Sequence, residues 1–275
     1  MRYVTKMNGS LQPFDRERVK RTVRNLGVSP EHLEQIVDEI EEQVYDGIPT
    51  STLLRMIRAR ARVYRPAVAY RTNLRRALAL LSPKPDFEVY VQGLLRDHGY
   101  EVEGGRILAG RCGEHEVDAI ARKNGVVYFV EVKHHFSHHR VTGLDEGRIA
   151  RAIVEDVQEG YRRGENSFRV DTALIVCNTK LSEHAKRYAA CWGIEHLGWD
   201  YPLDRNIRTM IEETQSYPVT IITGVTPAVR KRLTAAGILT VRDLIARGRA
   251  ALVETAGIPG HTADILIERG EALLS

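Results

Sequence analysis

Residues 114–133, with the sequence EHEVDAIARKNGVVYFVEVK, carry the strongest structural signal in the chain. Two runs rich in β-branched and aromatic residues flank Asn124-Gly125. This dipeptide favours a type I′ turn, because asparagine and glycine both tolerate the positive φ that the turn requires. The sequence therefore predicts a tight antiparallel hairpin.

The predicted turn also determines which side chains face each other. A two-residue turn fixes a register that places Asp118 opposite Glu131 and Glu116 opposite Lys133. Because side chains alternate along a strand, these four charged groups share one face of the hairpin. The sequence predicts two acids and an amine close together on a largely apolar surface.

Such a pair of carboxylates requires a counter-charge. Facing side chains lie about 5 Å apart, and burying a carboxylate without a partner costs several kcal/mol. Lys133 supplies one positive charge, and a divalent cation such as Mg²⁺ suits oxygen ligands better. The alternative is an exposed hairpin end on which Glu116 pairs with Lys133 and Asp118 pairs with Arg122 or Arg140.

An Asp followed by Glu-x-Lys on the next strand, after a helix that bears Glu88, resembles the PD-(D/E)-x-K nuclease superfamily. The similarity is strongest to its Mrr-like restriction endonuclease branch, through residues 110–118 and 129–135. It covers roughly residues 86–200. The resemblance implies an α/β restriction-endonuclease-like fold with a mixed sheet, and an endodeoxyribonuclease that uses Mg²⁺ or Mn²⁺.

The same resemblance implies a role for each residue of the site. Asp118 and Glu131 would ligate the metal, with the carbonyl of Val132 as a third protein oxygen. Lys133 would orient or deprotonate the attacking water and contact the scissile phosphate, and we expect nearby cations to lower its pKa. Glu88 would add a ligand or a supporting contact, although a plain surface or capping role stays open. Glu116 would hold Lys133 in place.

The rest of the middle segment predicts the elements of that fold. We expect a helix over residues 86–98 and a strand over 100–109 that is interrupted at Gly104-Gly105. After the hairpin, the patterns predict helices over 145–161 and 182–191 and strands over 170–177 and 194–197. The histidines of residues 134–139 do not favour zinc, because adjacent histidines on a strand point to opposite sides. A loop that touches DNA phosphate, or a set of solvated histidines, fits better.

Segment 1–82 predicts a short strand followed by helices near residues 16–26, 30–45 and 50–68. It resembles the ATP-cone, the nucleotide-sensing domain of ribonucleotide reductases, over roughly residues 2–80. The resemblance implies a helical domain that binds ATP or dATP through Val4, Lys6 and Arg18. Met7 stands where family members usually carry arginine, so a domain that keeps only the scaffold is the alternative.

Segment 217–275 contains two stretches that resemble helix-hairpin-helix motifs. A glycine turn that opens a helix lets backbone N–H groups approach a DNA phosphate. The resemblance implies an all-α tandem domain that binds DNA through Gly224, Arg230, Lys231, Gly257, Gly260 and His261. Thr226 and Pro259 stand where the family usually has its second glycine, so packing or protein contact is the alternative.

The amino-acid composition limits the classes of protein to which the chain can belong. The 275 residues are 43% hydrophobic and 28% charged, with a net charge of +4 in which basic flanks enclose an acidic middle. Three cysteines without a C-x-x-C pair favour neither a disulfide framework nor a zinc ribbon. No stretch is long and apolar enough to span a bilayer, and the first residues lack a signal-peptide core, which favours the cytoplasm.

Together these patterns predict a multidomain protein divided as 1–82, 86–212 and 217–275, with Ser82 to Pro85 as a linker. We expect a metal-dependent DNA endonuclease of the restriction or repair type, with DNA and an adenine nucleotide as partners. A homodimer is expected because two chains cut both strands of a duplex most simply. The alternative is a non-catalytic regulator that binds nucleic acid or senses nucleotide on a nuclease fold.

Overall fold

The hairpin forms in the computed structural model of the protein, which describes residues 2–275. Asn124 and Gly125 have φ angles of 51° and 79°, as a type I′ turn requires. The strands pair in the predicted register, from Lys123 opposite Val126 to Ala119 opposite Val130. Regular pairing stops there, one residue before Asp118.

The hairpin lies in the middle of a mixed five-stranded sheet. Its strands are β4 (Glu101–Ala109), β5 (Glu114–Lys123), β6 (Val126–Lys133), β8 (Thr172–Cys177) and β10 (Glu195–Leu197), in the order β10-β8-β6-β5-β4. β10, β8 and β6 are mutually parallel, whereas β5 and β4 are antiparallel to their neighbours. This arrangement agrees with the predicted mixed sheet. A short parallel pair, β7 (Val141–Thr142) and β9 (Lys180–Leu181), lies outside it.

β4 differs from its prediction because it continues as one strand through Gly104-Gly105, although its regular pairing with β5 skips Gly105. A Cβ atom at Gly105 would lie only 2.9 Å from the carbonyl oxygen of Val117 on the neighbouring strand. Glycine is thus needed for the close approach of two backbones, and it does not end the strand.

Helices cover this sheet. α5 (Glu88–Asp97) packs on β4 and β5, and α6 (Leu144–Arg162) packs on β4, β8 and α7 (Glu183–Trp192). The core between the sheet and α6 is apolar and includes Ile120, Phe129, Ala150, Val154 and Val157. This core fixes the hairpin whose open end carries the charged residues.

The chain divides into two units. The first comprises the residues up to Arg71 together with Glu271–Leu273 and Ser275, and the second comprises the rest. In the first unit, three short strands pair in the order β2-β1-β3 beside three helices. Their bounds are β1 (Tyr3–Thr5), β2 (Leu11–Pro13), β3 (Ile48–Pro49), α1 (Arg16–Asn25), α2 (Pro30–Gln43) and α3 (Thr50–Tyr64). The side-chain carboxylate of Asp15 caps α1 by accepting from the N–H of Arg18 (3.1 Å).

The remaining helices of the second unit are α4 (Leu74–Ala79), α8 (Ile207–Thr214), α9 (Pro227–Ala235), α10 (Val241–Glu254) and α11 (Gly260–Leu274). The last residues of α11 are shared with the first unit. Thr226 and Thr240 cap α9 and α10 through their hydroxyl groups. Across residues 2–275, no helix is both long and apolar enough to cross a membrane.

Candidate active site

Asp118 is the most buried charged side chain at the open end of the hairpin, with 7% of its surface exposed. Its Oδ2 atom accepts a hydrogen bond of 2.7 Å from the backbone N–H of Val132 on β6. Its own carbonyl accepts from Nε2 of Gln92 on α5 (2.9 Å). The first bond holds the carboxylate against β6 although the regular strand pairing has ended, and the second holds the backbone of Asp118 against α5. The alternative of an exposed hairpin end is wrong for Asp118, and Arg122 pairs with Glu103 instead.

Glu131 and Lys133 lie two residues apart on β6, and their side chains meet. The distance from Nζ of Lys133 to Oε1 of Glu131 is 2.8 Å. Burial raises the pKa of Glu131, and the negative charge of Asp118 acts in the same direction, while Lys133 opposes both. The fold therefore brings the two predicted acids and the predicted amine into one electrostatic group.

Glu88, the first residue of α5, also belongs to this group. Its side chain is 16% exposed. Burial and then the negative charge of Asp118 raise the pKa of Glu88 to about 7. Carboxylates that repel each other in a poorly solvated place favour protons or cations over free ionisation.

Lys84 completes the group, and sequence reasoning missed it. Its Nζ atom lies 2.8 Å from Glu116, 3.2 Å from Glu88 and 3.3 Å from Asp118. Hydrogen bonding to Glu116 raises the pKa of Lys84 despite some desolvation. The segment expected to serve only as a linker thus supplies a cation to the site. The four-residue spacing from Lys84 to Glu88 was the available sequence signal.

The expectation that Glu116 holds Lys133 is wrong. Glu116 is 72% exposed and binds Lys84. Lys133 instead contacts Glu146, in the first turn of α6, at 3.1 Å. Glu146 was not predicted, because nothing in the local pattern indicates that α6 returns its N-terminus to the end of β6.

The pKa of Lys133 also differs from the expectation. Burial favours the neutral amine, but hydrogen bonds and charge from Glu131 and Glu146 outweigh burial and raise its pKa. The charged groups in contact with Lys133 are acids, which favour its protonated form. Lys133 is therefore an ammonium that donates hydrogen bonds.

The donor set fits a hard divalent cation by its chemistry. Asp118, Glu88 and Glu131 offer carboxylate oxygens in a poorly solvated place, and Mg²⁺ prefers such ligands. Within residues 2–275, no group of three or more His, Cys, Asp or Glu side chains already converges as a metal site. The ammonium groups of Lys84 and Lys133 lie against these oxygens and provide the counter-charge.

The histidines after β6 contact different groups. A ring nitrogen of His134 lies 3.1 Å from the carbonyl oxygen of Leu78, and one of His135 lies 3.2 Å from the hydroxyl of Thr142. The rings of His138 and His139 pack on each other.

The residues predicted to bind nucleotide are distributed over the start of the first unit. Val4 is buried in the hydrophobic core, so its side chain is not available to a ligand. Lys6 is exposed directly after β1, and exposed Arg18 lies 3.4 Å from Asp15.

The residues predicted to bind DNA lie at the helix starts of the C-terminal segment. Gly224 and Gly257 have positive φ, and Lys231 and His261 are exposed, whereas Arg230 and Gly260 are half-buried. Arginine side chains already occupy both turns: Arg269 donates to the carbonyl of Thr223, and Nη1 of Arg232 donates to that of Gly257 (2.5 Å). These contacts leave the backbone N–H groups as the groups on which phosphate binding would depend.

Comparison with known proteins gives three family matches along the chain. A family model described as an ATP cone domain matches residues 2–76, and one described as a restriction endonuclease matches residues 81–195. A third, described as AF1548-like, C-terminal, matches residues 217–274. The predicted resemblances to the ATP-cone and the restriction endonucleases are confirmed, whereas the helix-hairpin-helix interpretation stays a prediction.

Two relatives extend this comparison. An uncharacterized protein of Archaeoglobus fulgidus is 35% identical over 162 residues, which cover 58% of this chain and 87% of the relative. A crystal structure titled as a protein of unknown function, AF1548, is 32% identical with a TM-score of 0.56. It covers 72% of this chain and 97% of its own.

Proposed function

This chain belongs to the AF1548-like family, and from that premise we propose that it is a metal-dependent DNA endonuclease that hydrolyses phosphodiester bonds. One observation carries the proposal. The segment that matches restriction endonucleases places a buried Asp118 beside Glu131 and Glu88, with Lys133 on the same strand. Desolvated acids gathered around a lysine serve no evident structural purpose and suit the binding of a cation and a phosphate.

In the proposed mechanism, Asp118, Glu131 and Glu88 would hold Mg²⁺ or Mn²⁺, and the Val132 carbonyl would offer a further oxygen. When bound, the metal lowers the pKa of a water molecule and neutralises charge on the phosphate. The hydrogen bond from the Val132 N–H fixes the orientation of Asp118. Lys133 stays protonated between Glu131 and Glu146 and donates a hydrogen bond to the scissile phosphate or the attacking water.

The flanking segments are proposed to bring the substrate and a regulator to this centre. We propose the division 1–82, 86–212 and 217–275, in which the first domain binds ATP or dATP near Lys6 and Arg18. The third is proposed as a tandem helix-hairpin-helix domain that contacts the DNA backbone through the turns at Gly224 and Gly257. Homodimerisation is part of the proposal, because it would allow both strands of a duplex to be cut.

The direct test is Mg²⁺-dependent cleavage of supercoiled, linear and branched DNA by the wild type and by Asp118→Ala. We expect cleavage to fall about 10³-fold, because loss of a metal ligand removes several kcal/mol of transition-state stabilisation. Asp38→Ala, which removes a carboxylate of the first unit, is the matched control and should cut like the wild type. Circular dichroism verifies that each variant is folded.

Equal cutting by the wild type and Asp118→Ala would remove the enzyme assignment. DNA binding by both without Mg²⁺-dependent cutting would favour the non-catalytic regulator instead.

A further inference from the structure

The loop of residues 134–140, with the sequence HHFSHHR, leaves the sheet directly after Lys133 and contains no acidic residue. Phe136 lies within it and is 70% exposed. A single exposed phenylalanine is ordinary on a protein surface. Phe136 differs from an ordinary exposed side chain because it lies three residues after Lys133 and packs on another aromatic ring.

Contacts with other aromatic rings hold the Phe136 ring in place. It meets the ring of His134 edge-on, with centroids 5.1 Å apart, and His134 meets the ring of Phe87 in the same manner at 5.0 Å. Phe87 is fully buried and directly precedes Glu88. The hydrogen bond between His134 and the Leu78 carbonyl fixes the middle ring. Phe87, His134 and Phe136 thus form a row of three aromatic rings. The row runs from the protein core, beside the candidate active site, to the exposed surface.

Cationic side chains lie at the end of the loop and near two of its other histidines. Arg140 ends the loop and acts electrostatically on His135, while Arg75 and Arg76 of α4 act on His138. α4 contains no acidic residue. The loop therefore presents an apolar ring at Phe136 and positive charge at and near its histidines. Proteins bind single-stranded nucleic acid with the same combination, in which cations contact the phosphates and aromatic rings stack on bases.

We propose that Phe136 forms a stacking site for an unpaired nucleobase next to the scissile phosphate. This inference rests on the proposed function and names the substrate class: DNA that contains an unpaired base near the cut, as in a flap, mismatch or junction. A fully paired duplex does not offer a free base face at that position, because its bases stack on each other. Cations from the loop and α4 contact the phosphates on either side.

The test compares two labelled DNAs, a paired duplex and the same duplex with a short single-stranded flap, by fluorescence anisotropy in EDTA. The wild type should bind the flap DNA more tightly. Phe136→Ala should lose about tenfold in affinity for the flap DNA and little for the duplex. Phe136→Trp should keep the preference. Leu203→Ala, which removes an 89% exposed apolar side chain elsewhere in the second unit, is the matched control and should behave like the wild type.

A second measurement reports stacking directly. A 2-aminopurine base in the flap should be quenched by the wild type and by Phe136→Trp, but not by Phe136→Ala. Unchanged preference and quenching in Phe136→Ala would overturn the inference, and so would an equal loss of affinity for both DNAs. A shift of Phe136→Ala from dimer to monomer with unchanged preference would assign the ring to self-association and overturn it as well.

These outcomes are separable from failure of the proposed function. If the wild type cuts DNA and Asp118→Ala does not, the enzyme stands whatever Phe136→Ala does. If the wild type binds neither DNA, the nuclease proposal fails together with this inference.

Discussion

Two clusters in this molecule each contain a cation that contacts three carboxylates, and the two clusters have opposite character. In the first unit, Arg16 contacts Glu34 (3.1 Å), Asp38 (2.5 Å) and Glu41. In the second unit, Lys84 contacts Glu88, Glu116 and Asp118. The acids around Arg16 are 45% to 60% exposed, whereas Asp118 and Glu88 are 7% and 16% exposed.

The difference in solvation reverses the direction in which the pKa of a glutamate shifts in each cluster. Hydrogen bonds from Lys20 and Arg16 lower the pKa of Glu34, while burial and Asp118 raise that of Glu88. Water screens the first cluster, and the hydrogen bonds from Lys20 and Arg16 favour the ionised form of Glu34. The second retains acids with too little positive charge. The comparison teaches that desolvation, and not the count of charges, marks the cluster suited to bind a further cation.

The largest effect expected from this comparison concerns the lysines beside each cluster. Lys133→Met should reduce Mg²⁺-dependent DNA cleavage by about 10²- to 10³-fold, because it removes a donor aimed at charge that develops in the transition state. Lys20→Met, which removes the ammonium beside Glu34, should cut within about twofold of the wild type. Initial rates at saturating DNA provide the measurement. A comparable loss of DNA cleavage in both variants would contradict the prediction that only the second cluster takes part in catalysis.

The pH dependence of stability should have opposite signs in the two clusters when metal is absent. The folded protein holds the Glu88 proton more tightly, with a pKa of about 7 against an ordinary 4.5. The contribution of Glu88 is therefore fully present below pH 4.5 and is lost as the pH rises through 7. Glu34 has a lowered pKa, so its contribution is present above pH 4.5 and is lost in acid.

Urea unfolding in EDTA between about pH 2 and 8 measures both signs, because the contribution of Glu34 is lost only below its lowered pKa. Relative to the wild type, Glu88→Gln should become more stable as the pH rises, and Glu34→Gln should lose stability at neutral pH but not in acid. A difference between Glu88→Gln and the wild type that does not change with pH would contradict the raised pKa.

The smallest expected effect is on thermal stability and its response to metal. Lys84→Met leaves Asp118 without its nearest cation, so Tm in EDTA should fall by roughly 3 °C, and Arg16→Met should lower it by about 2 °C. Mg²⁺ should restore Tm only in Lys84→Met. Calorimetric titration should show about tenfold tighter Mg²⁺ binding to Lys84→Met, since the ammonium no longer competes. The same response of both variants to Mg²⁺ would show that Lys84 does not stand where the metal binds.

The sequence predicted the parts of the site that depend on local geometry. Asn124-Gly125 determines the turn, the turn determines the register, and the register brings Asp118 and Glu131 to one face. Lys84 and Glu146 could not be predicted in this way. Their positions depend on how the segment before α5 and the start of α6 pack against the sheet, and no periodic pattern encodes that packing.

The error at Glu116 has the same origin. Register arithmetic assumes that pairing continues to the end of the hairpin, but regular pairing ends at Ala119 and Val130. Beyond that point Glu116 follows β4, where it lies opposite Ile107, and its side chain binds Lys84. A strand between two neighbours can keep its regular pairing with either one, and which pairing continues depends on the tertiary packing.

The two-residue turn restricts how the hairpin tolerates changes in length. An inserted residue that slid β6 by one position would carry Glu131 and Lys133 to the opposite face, whereas two would return them. Pairing with β8 from Tyr128 to Lys133 resists any such slide, so an odd insertion has to bulge out at the tip. Engineered variants can therefore lengthen this tip while the acids stay on the same face, and a peptide tag inserted between Asn124 and Gly125 is a practical way to label the protein.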